Sequence, residues 1–177
     1  MGVFEQAFKV VVGEEGGFSD EPADPGNWTG GAVGAGVLRG TKYGVSAAAY
    51  PTVDIAALTP DAAQAIYRRD YWNRISGDAL PPALALLVFD ASVNNGVERA
   101  AQWLQAACGV AQDGVIGPQT LAAVAARASD GAALCAEVVA ERLLFMAALP
   151  TWRVFGTGWA RRLCALPYRA MAISGSN

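Results

Sequence analysis

The chain of 177 residues is 53% apolar and 16% charged, which excludes a disordered polypeptide and fits one domain, or a catalytic unit with a small appendage. Its formal net charge of −3 argues against a general nucleic-acid-binding protein. The sequence contains no histidine, so Ser-His and Cys-His dyads and two-histidine metal sites are excluded, and carboxylates must carry any acid–base chemistry.

The first predicted helix lies at the N-terminus and leads into a group of acidic residues. Apolar residues recur at helical spacing over residues 3–15, and the pattern stops at Gly16-Gly17. We therefore expect the helix to end close to Glu14 and Glu15 and to place both carboxylates at the edge of the segment that follows.

A long segment without helical periodicity follows, from Phe18 to Gly44. It is rich in glycine, aspartate and proline, and its Asp-Pro, Pro-Gly and Gly-Gly pairs are typical of turns. Residues 32–34 and 41–43 are predicted to form at most short hairpin strands. A polar loop of this length within a compact domain is usually functional.

Beyond Ser46 the pattern is helical almost throughout, which predicts a mainly α fold with a long N-terminal loop or a small β-hairpin. The three cysteines, Cys108, Cys135 and Cys164, are too far apart in sequence to form a CxxC motif. They are predicted to be small apolar residues of the core. The six further helices are predicted over residues 60–73, 82–95, 98–107, 118–128, 130–148 and 158–171.

The junction of the first helix with the loop is the candidate site, because it gathers carboxylates in unlike environments. A carboxyl group at the end of an apolar helix has its pKa raised by burial and by the helix C-terminus, whereas one in a polar loop stays ionised. Cleavage of a glycosidic bond needs such a pair, an acid for the leaving oxygen and a base or stabiliser for water or the oxocarbenium ion. Alternatively, these acidic residues cap turns and Gly16-Gly17 is a helix C-cap.

An ordered set of motifs runs through most of the chain. It comprises Glu15-Gly16-Gly17-Phe18-Ser19, residues 24–31, residues 40–46, Tyr71-Trp72, Phe89-Asp90, Asn94-Asn95-Gly96, Leu104-Gln105 and residues 113–121. The set resembles glycoside hydrolase family 108, the N-acetylmuramidases of phages, prophages and bacterial secretion systems. The resemblance implies a lysozyme-like helical fold and a hydrolase that needs no metal or organic cofactor.

The resemblance also implies roles within the candidate site. Glu15 stands where the family has its catalytic glutamate, immediately before Gly-Gly, and is expected to be the general acid; Glu14 is a chemical rival outside the motif position. Phage-type lysozymes place an aspartate and then a threonine after the glutamate, so Asp24 and Thr41 are expected to orient the attacking water. Capping of turns is the alternative for both.

Five more residues are candidates for binding the sugar chain. Trp28, Tyr43 and Tyr50 are predicted either to stack on sugar rings or to serve as hairpin and core residues. Asn94 and Asn95 end an apolar helix before a glycine, where they either present amides to N-acetyl carbonyls or cap the helix.

The motifs predict a division of the chain at residue 95. Residues 1–95 are predicted to be the glycoside hydrolase catalytic region, and residues 96–177 a helical peptidoglycan-binding-like region packed with it as one lysozyme-like unit. Residues 113–121 resemble the predicted peptidoglycan-binding half of the family, and are also explained by a turn followed by a helix start.

Together these features predict a peptidoglycan hydrolase, an endolysin-like muramidase that cleaves the β-1,4 bond between N-acetylmuramic acid and N-acetylglucosamine. The alternative is a catalytically weak or inactive peptidoglycan-binding protein, whereas a zinc peptidase or amidase is disfavoured by the absence of histidine. Bacterial peptidoglycan is the expected partner of a monomer that inserts into no membrane.

No stretch of the sequence reads as a signal peptide. We therefore expect synthesis in the host bacterial cytoplasm and action on the cell wall in the periplasm, after holin- or secretion-assisted release.

Residues 151–177 contain four arginines and no acidic residue. These arginines either line a solvated helix or face the acidic N-terminal segment, or form a basic strip that meets an anionic surface, such as lipid headgroups or cell-wall polymers.

Overall fold

The helices of the computed structural model, which describes residues 1–13 and 17–174, follow the predicted order. Within those ranges they are α1 (Val3–Val11), α2 (Pro60–Tyr67), α3 (Pro82–Asn95), α4 (Val97–Cys108), α5 (Pro118–Ala126), α6 (Gly131–Ala147) and α7 (Trp152–Ser174). An antiparallel hairpin pairs β1 (Thr41–Lys42) with β2 (Val45–Ser46). The predicted fold class, mainly α and lysozyme-like with a small hairpin, is confirmed.

The first helix ends earlier than predicted. α1 stops at Val11, although the amide of Gly13 still donates to the carbonyl of Lys9 at 3.1 Å. Gly13 then adopts a φ of 87°, a left-handed conformation that commonly terminates helices. The predicted end near Glu15 was therefore wrong, because the apolar pattern does not report the left-handed conformation of Gly13.

The last helix begins earlier than predicted. α7 starts at Trp152 rather than at residue 158 and runs through Gly156. Gly156 is buried beneath the indole of Trp152, and a Cβ at this position would lie 2.6 Å from the ring. Because Gly156 has no side chain, the Trp152 indole can pack closely against this turn of α7.

Within the described ranges, no helix is both long and apolar enough to span a bilayer.

The chain divides into two compact units, and the smaller comprises Phe8–Tyr67. Nearly half of it is the predicted loop, which is ordered by backbone hydrogen bonds. The backbone amide of Ser19 donates to the carbonyl of Thr41 at 2.9 Å, and the amide of Thr41 donates back to the carbonyl of Ser19 at 2.7 Å. Trp28 and Leu38 form a second antiparallel β-bridge. Buried apolar side chains support this framework: Phe8, Val45, Ile55, Leu58, Ile66 and Tyr67.

Gly40 lets the two sides of the loop approach closely. It has a φ of 83°, and a Cβ there would lie 2.5 Å from the carbonyl oxygen of Ser19. A side chain at residue 40 would therefore collide with the backbone that pairs with β1. At the hairpin turn, Tyr43 and Gly44 both have positive φ, 51° and 72°, as a two-residue type I′ turn requires.

The second unit comprises Met1–Ala7 and Arg68–Asn177, and α3 is its central helix. α3 is buried continuously from Leu84 to Ser92 and contacts α4, α6 and α7. Beside it, Phe4, Trp72 and Phe89 pack edge to face with ring centroids 5.4–6.0 Å apart. Trp72 is fully buried and belongs to the core of this unit.

The cysteines are less buried than predicted. Cys108 and Cys135 are half-buried, and burial raises the pKa of both thiols. Cys164 is exposed, because α7 turns that position towards solvent. The prediction of a core position was wrong for Cys164.

Candidate active site

The predicted general acid lies outside the described residues. Neither Glu15 nor its rival Glu14 belongs to the described ranges, so the role of each stays a prediction. The described part of the candidate site is the loop that follows, and its geometry depends on one buried asparagine.

Asn27 organises this loop, although its sequence context does not distinguish it from an ordinary turn residue. Its side chain is fully buried. The amide nitrogen donates to the carbonyl of Glu21 at 3.0 Å, and Oδ1 accepts the hydroxyl of Thr41 at 2.7 Å. The backbone amide of Asn27 donates to the carbonyl of Asp24 at 3.1 Å. Asn27 thereby connects both residues that were predicted to orient water.

Asp24 makes the capping contact that was its alternative role. Its Oδ1 accepts the amide of Gly26 at 2.8 Å and caps the short 3-10 turn Pro25–Asn27. The residue is nevertheless exposed to solvent. Capping therefore fixes the position of the carboxylate while leaving it accessible to water.

Thr41 begins β1 and is half-buried. Because Asn27 Nδ2 is directed to a backbone carbonyl, its Oδ1 must be the acceptor, and the Thr41 hydroxyl must donate to it. The hydroxyl proton is thus committed, and the lone pairs of Oγ1 remain as acceptors. Thr41 is therefore set to accept a hydrogen bond rather than to give one.

The three aromatic candidates are all half-buried. Trp28 donates its indole N–H to the carbonyl of Pro22 at 2.9 Å, and Tyr43 occupies the hairpin turn with the ammonium of Lys42 5.6 Å from its ring centroid. The backbone amide of Tyr50 donates to the carbonyl of Ser46 at 3.0 Å. Trp28 and Tyr43 make side-chain contacts within the loop, and all three aromatic residues keep part of their surface open, so both predicted roles remain.

Asn94 and Asn95 lie at the end of α3, in the second unit. Asn94 is exposed and donates its side-chain amide to the carbonyl of Asp90 at 2.8 Å, a local contact that agrees with the capping alternative. Asn95 is half-buried. Their predicted contact with N-acetyl groups stays a prediction.

An ion triad centred on the buried Asp90 joins three helices of the second unit. Asp90 of α3 is fully buried, and its carboxylate accepts hydrogen bonds from Arg142 of α6 at 2.6 Å and from Nε of Arg162 of α7 at 3.1 Å. All four arginines near the C-terminus are exposed, and Arg162, whose side chain is 41% exposed, pairs with Asp90 within the fold.

The segment from residue 113 to residue 121 is held by the buried side chain of Gln105. The amide of Gln105 donates to Asp113 at 2.6 Å and to Thr120 at 3.2 Å, and its Oε1 accepts the amide of Gly114 at 3.0 Å. The amide of Val115 and then the Gln105 side chain hold the pKa of Asp113 below its ordinary value. In this structure the segment is a turn leading into α5, as its local sequence predicts.

Arg127 lies beside this region and bridges two acids. It donates to Asp130 at 2.7 Å and to Glu137 at 3.0 Å, and also to the carbonyl of Ala107 at 2.8 Å. The hydrogen bonds from Arg127 lower the pKa of both carboxyl groups.

Stability is therefore expected to decline as the pH falls below about 4, the range of unperturbed carboxyl groups. Asp113, Asp130 and Glu137 have lower pKa values folded than unfolded, so their stabilisation is complete above the unfolded values. It is lost as the pH falls through the folded values. Thermal unfolding between pH 7 and pH 2.5 measures this, and Arg127→Gln should flatten the decline. An equally steep decline in Arg127→Gln would contradict the assignment to these pairs.

Comparison with known proteins agrees with the motifs. The model of the family described as Glycosyl hydrolase 108 matches residues 8–96. The chain belongs to glycosyl hydrolase family 108. The model described as Predicted Peptidoglycan domain matches residues 99–164. This family member is therefore a glycosidase that acts on peptidoglycan.

A solved structure resembles the family member over nearly its whole length. SagA of Brucella abortus is 35% identical, with a TM-score of 0.79, and the match covers 98% of this chain and 97% of that one. Among proteins with curated functions, none matches by sequence. The division at residue 95, the packing of the two regions as one unit, and the monomeric state stay predictions.

Proposed function

We propose that this glycosidase is a muramidase that cleaves the β-1,4 bond between N-acetylmuramic acid and N-acetylglucosamine, with Glu15 as the general acid. The proposal is supported by the position of Glu15 immediately before Gly-Gly in a family 108 chain without histidine. The observation that carries it is the buried Asn27, which connects Asp24 and Thr41 in the loop directly after this motif.

The hydrogen-bonding states of Asp24 and Thr41 fit the handling of a water molecule. An ionised carboxylate only accepts hydrogen bonds, and the Thr41 hydroxyl already donates its one hydrogen bond to Asn27. One water can therefore donate one hydrogen to each residue, which leaves its lone pair free to attack the sugar carbon. Glu15 gives its proton to the bridging oxygen as the C–O bond breaks, and Asp24 takes the proton released by water.

Mass spectrometry of digested sacculi tests which bond is cleaved. Purified protein is incubated with isolated peptidoglycan, and the fragments are reduced and sequenced from their new ends. Fragments with reducing N-acetylmuramic acid support the proposal. New reducing N-acetylglucosamine ends, or glycan strands that remain intact, would overturn it.

Asp24→Asn should lower the turnover of sacculi by roughly 100-fold or more, the usual range for loss of a general base. Asparagine keeps an oxygen that accepts the Gly26 amide, so the turn and the melting temperature should be preserved. Asp54→Asn is the matched control, because Asp54 is also exposed and accepts a backbone amide, that of Ala57, at 3.2 Å. Equal rates for the two variants would remove Asp24 from the mechanism.

For the cellular setting we propose an endolysin-like role in phage lysis, with release from the cytoplasm by a holin or a secretion system. The proposal follows from the resemblance to phage and prophage muramidases. Expression in a bacterial host with and without a co-expressed holin tests it. Lysis only in the presence of the holin is expected, and lysis that does not depend on the holin would contradict the proposed release.

A further inference from the structure

The solvent-facing side of α7 carries arginines and apolar side chains along one line. Residues 153, 157, 161, 164, 168 and 171 follow one another at spacings of four or three, so they share one face of the helix. All six are exposed, and together they are named the α7 stripe: Arg153, Thr157, Arg161, Cys164, Tyr168 and Met171.

The positive charge of this face is not compensated within the fold. Residues 142–177 contain five arginines and no acidic residue, although the formal net charge of the whole chain is −3. Three of these arginines, Arg153, Arg161 and Arg169, are exposed and form no ion pair with any residue in the ranges 1–13 and 17–174. The face therefore attracts an anionic partner.

An open groove gives such a partner access to two of the arginines. It has a volume of about 550 Å³ and lies along the first half of α7. Its lining consists of small residues between larger ones: Trp152, Arg153, Gly156, Thr157, Ala160, Arg161 and Cys164. None of these lining residues is acidic. The two guanidinium groups and the Thr157 hydroxyl provide hydrogen-bond donors, which the oxygens of a phosphodiester accept.

Apolar side chains on the same face distinguish a lipid surface from a purely ionic partner. Tyr168 is 74% exposed and Met171 is 61% exposed, and Val154, two turns before Arg161, is 75% exposed. Contact with a soluble polyanion leaves such side chains in water, whereas the layer just below lipid headgroups is apolar. Tyrosine is enriched at that level of membranes, because its ring is apolar and its hydroxyl reaches water.

We infer that the α7 stripe docks on the surface of an anionic lipid bilayer. The arginines pair with headgroup phosphates, while Val154, Tyr168 and Met171 enter the layer between headgroups and acyl chains. The stripe extends over about 27 Å, at 1.5 Å per residue, and a flat surface contacts it along this whole length. A second copy of the chain, docked stripe to stripe, would place arginines against arginines. The inference does not depend on the proposed muramidase function.

Sedimentation with lipid vesicles tests the docking on the full-length protein. One set of vesicles contains phosphatidylglycerol and phosphatidylethanolamine, and the other contains phosphatidylcholine alone. We expect saturable binding to the anionic vesicles and at least about tenfold weaker binding to the neutral ones. Raising the salt from about 0.1 M to about 1 M, which shortens the screening length from about 10 Å to about 3 Å, should weaken binding to the anionic vesicles. No binding to the anionic vesicles, or equal binding to both sets, would overturn the inference.

Variants of the stripe arginines locate the contact. Arg161→Gln should weaken binding to anionic vesicles about fivefold, and the double variant Arg153→Gln, Arg161→Gln roughly 25-fold, since each basic residue near such a surface contributes by about this factor. Arg74→Gln is the matched control, because Arg74 is also exposed but lies outside α7. It should bind as the parent does, and every variant should keep the melting temperature of the parent. Equal binding of the double variant and the control would overturn the inference.

A variant of the apolar residues separates a bilayer from other occupants. The double variant Tyr168→Ser, Met171→Ser keeps every charge but should bind anionic vesicles at least about fivefold more weakly, because membrane binding scales with the buried apolar area. Soluble polyphosphate should bind this variant and the parent alike. Full vesicle binding by the variant would overturn the bilayer in favour of an anionic polymer. A dimer of the parent without vesicles, dissociated by the same variant, would assign the stripe to a second copy instead.

A fluorescent probe on Cys164 reports directly on the stripe. Cys164 is exposed, whereas Cys108 and Cys135 are half-buried, so an environment-sensitive thiol dye reacts first at Cys164. Its emission should shift to the blue on anionic vesicles, because docking removes the dye from water. The same dye on Gln112→Cys in a Cys164→Ser background, in the exposed segment between α4 and α5, should not shift. A shift at residue 112 and none at residue 164 would place the contact elsewhere and overturn the inference.

Discussion

Replacing Asp90 by asparagine is expected to destabilise the fold by about 3–5 kcal/mol, the range measured when one member of a buried ion pair is removed. Asp90 is fully buried and is bonded to Arg142 and Arg162. Asparagine would leave the Arg142 guanidinium, 3% exposed, without a compensating charge. It would also loosen the connection between α3, α6 and α7. Denaturant-induced unfolding, followed by circular dichroism, measures the loss.

Asp130→Asn is the matched control for this prediction. Asp130 also pairs with an arginine, Arg127, at 2.7 Å, but its side chain is 47% exposed. Ion pairs in solvent contribute about 0–1 kcal/mol, so the control should unfold close to the parent midpoint. If the Asp90 variant were no less stable than the Asp130 variant, the triad would not support this unit.

Glu15→Gln is expected to lower turnover of sacculi by about 10²–10⁴-fold, the contribution typical of a general acid. Glutamine has nearly the shape of glutamic acid but holds no proton that it can give to the bridging oxygen. Binding of sacculi should persist. The melting temperature should also stay close to that of the parent protein, because the substitution hardly changes the shape of the side chain.

Glu14→Gln provides the control for the second prediction, because it makes the same change one residue earlier. We expect it to keep most of the activity, since Glu14 does not occupy the motif position before Gly-Gly. The reverse result, an active Glu15→Gln and an inactive Glu14→Gln, would transfer the acid role to Glu14. Full activity of both variants would show that neither Glu14 nor Glu15 is the general acid.

The helices could be predicted because their signals are local. Proline at residues 60, 82 and 118 marks the starts of α2, α3 and α5, and apolar periodicity marks their lengths. The end of α1 was missed because it depends on the backbone conformation of Gly13, which the apolar pattern does not report. The start of α7 depends on the packing of Trp152 against Gly156.

The residues of the candidate site could be named, but their connections could not. Asp24 and Thr41 were found by resemblance, whereas the burial of Asn27 between them results from the folding of the whole loop. The Asp90 triad joins residues 52 and 72 positions apart, a separation that no local pattern reveals. Long-range polar contacts therefore had to come from the structure.

Digestion of sacculi in water enriched in oxygen-18 tests the central claim most directly, because hydrolysis transfers an oxygen atom from water to the new reducing end. We expect mass spectrometry to find the heavy oxygen on reducing N-acetylmuramic acid, formed by the parent protein and not by Glu15→Gln. Fragments ending in unlabelled anhydro sugars, or a heavy label on reducing N-acetylglucosamine, would contradict a muramidase that activates water.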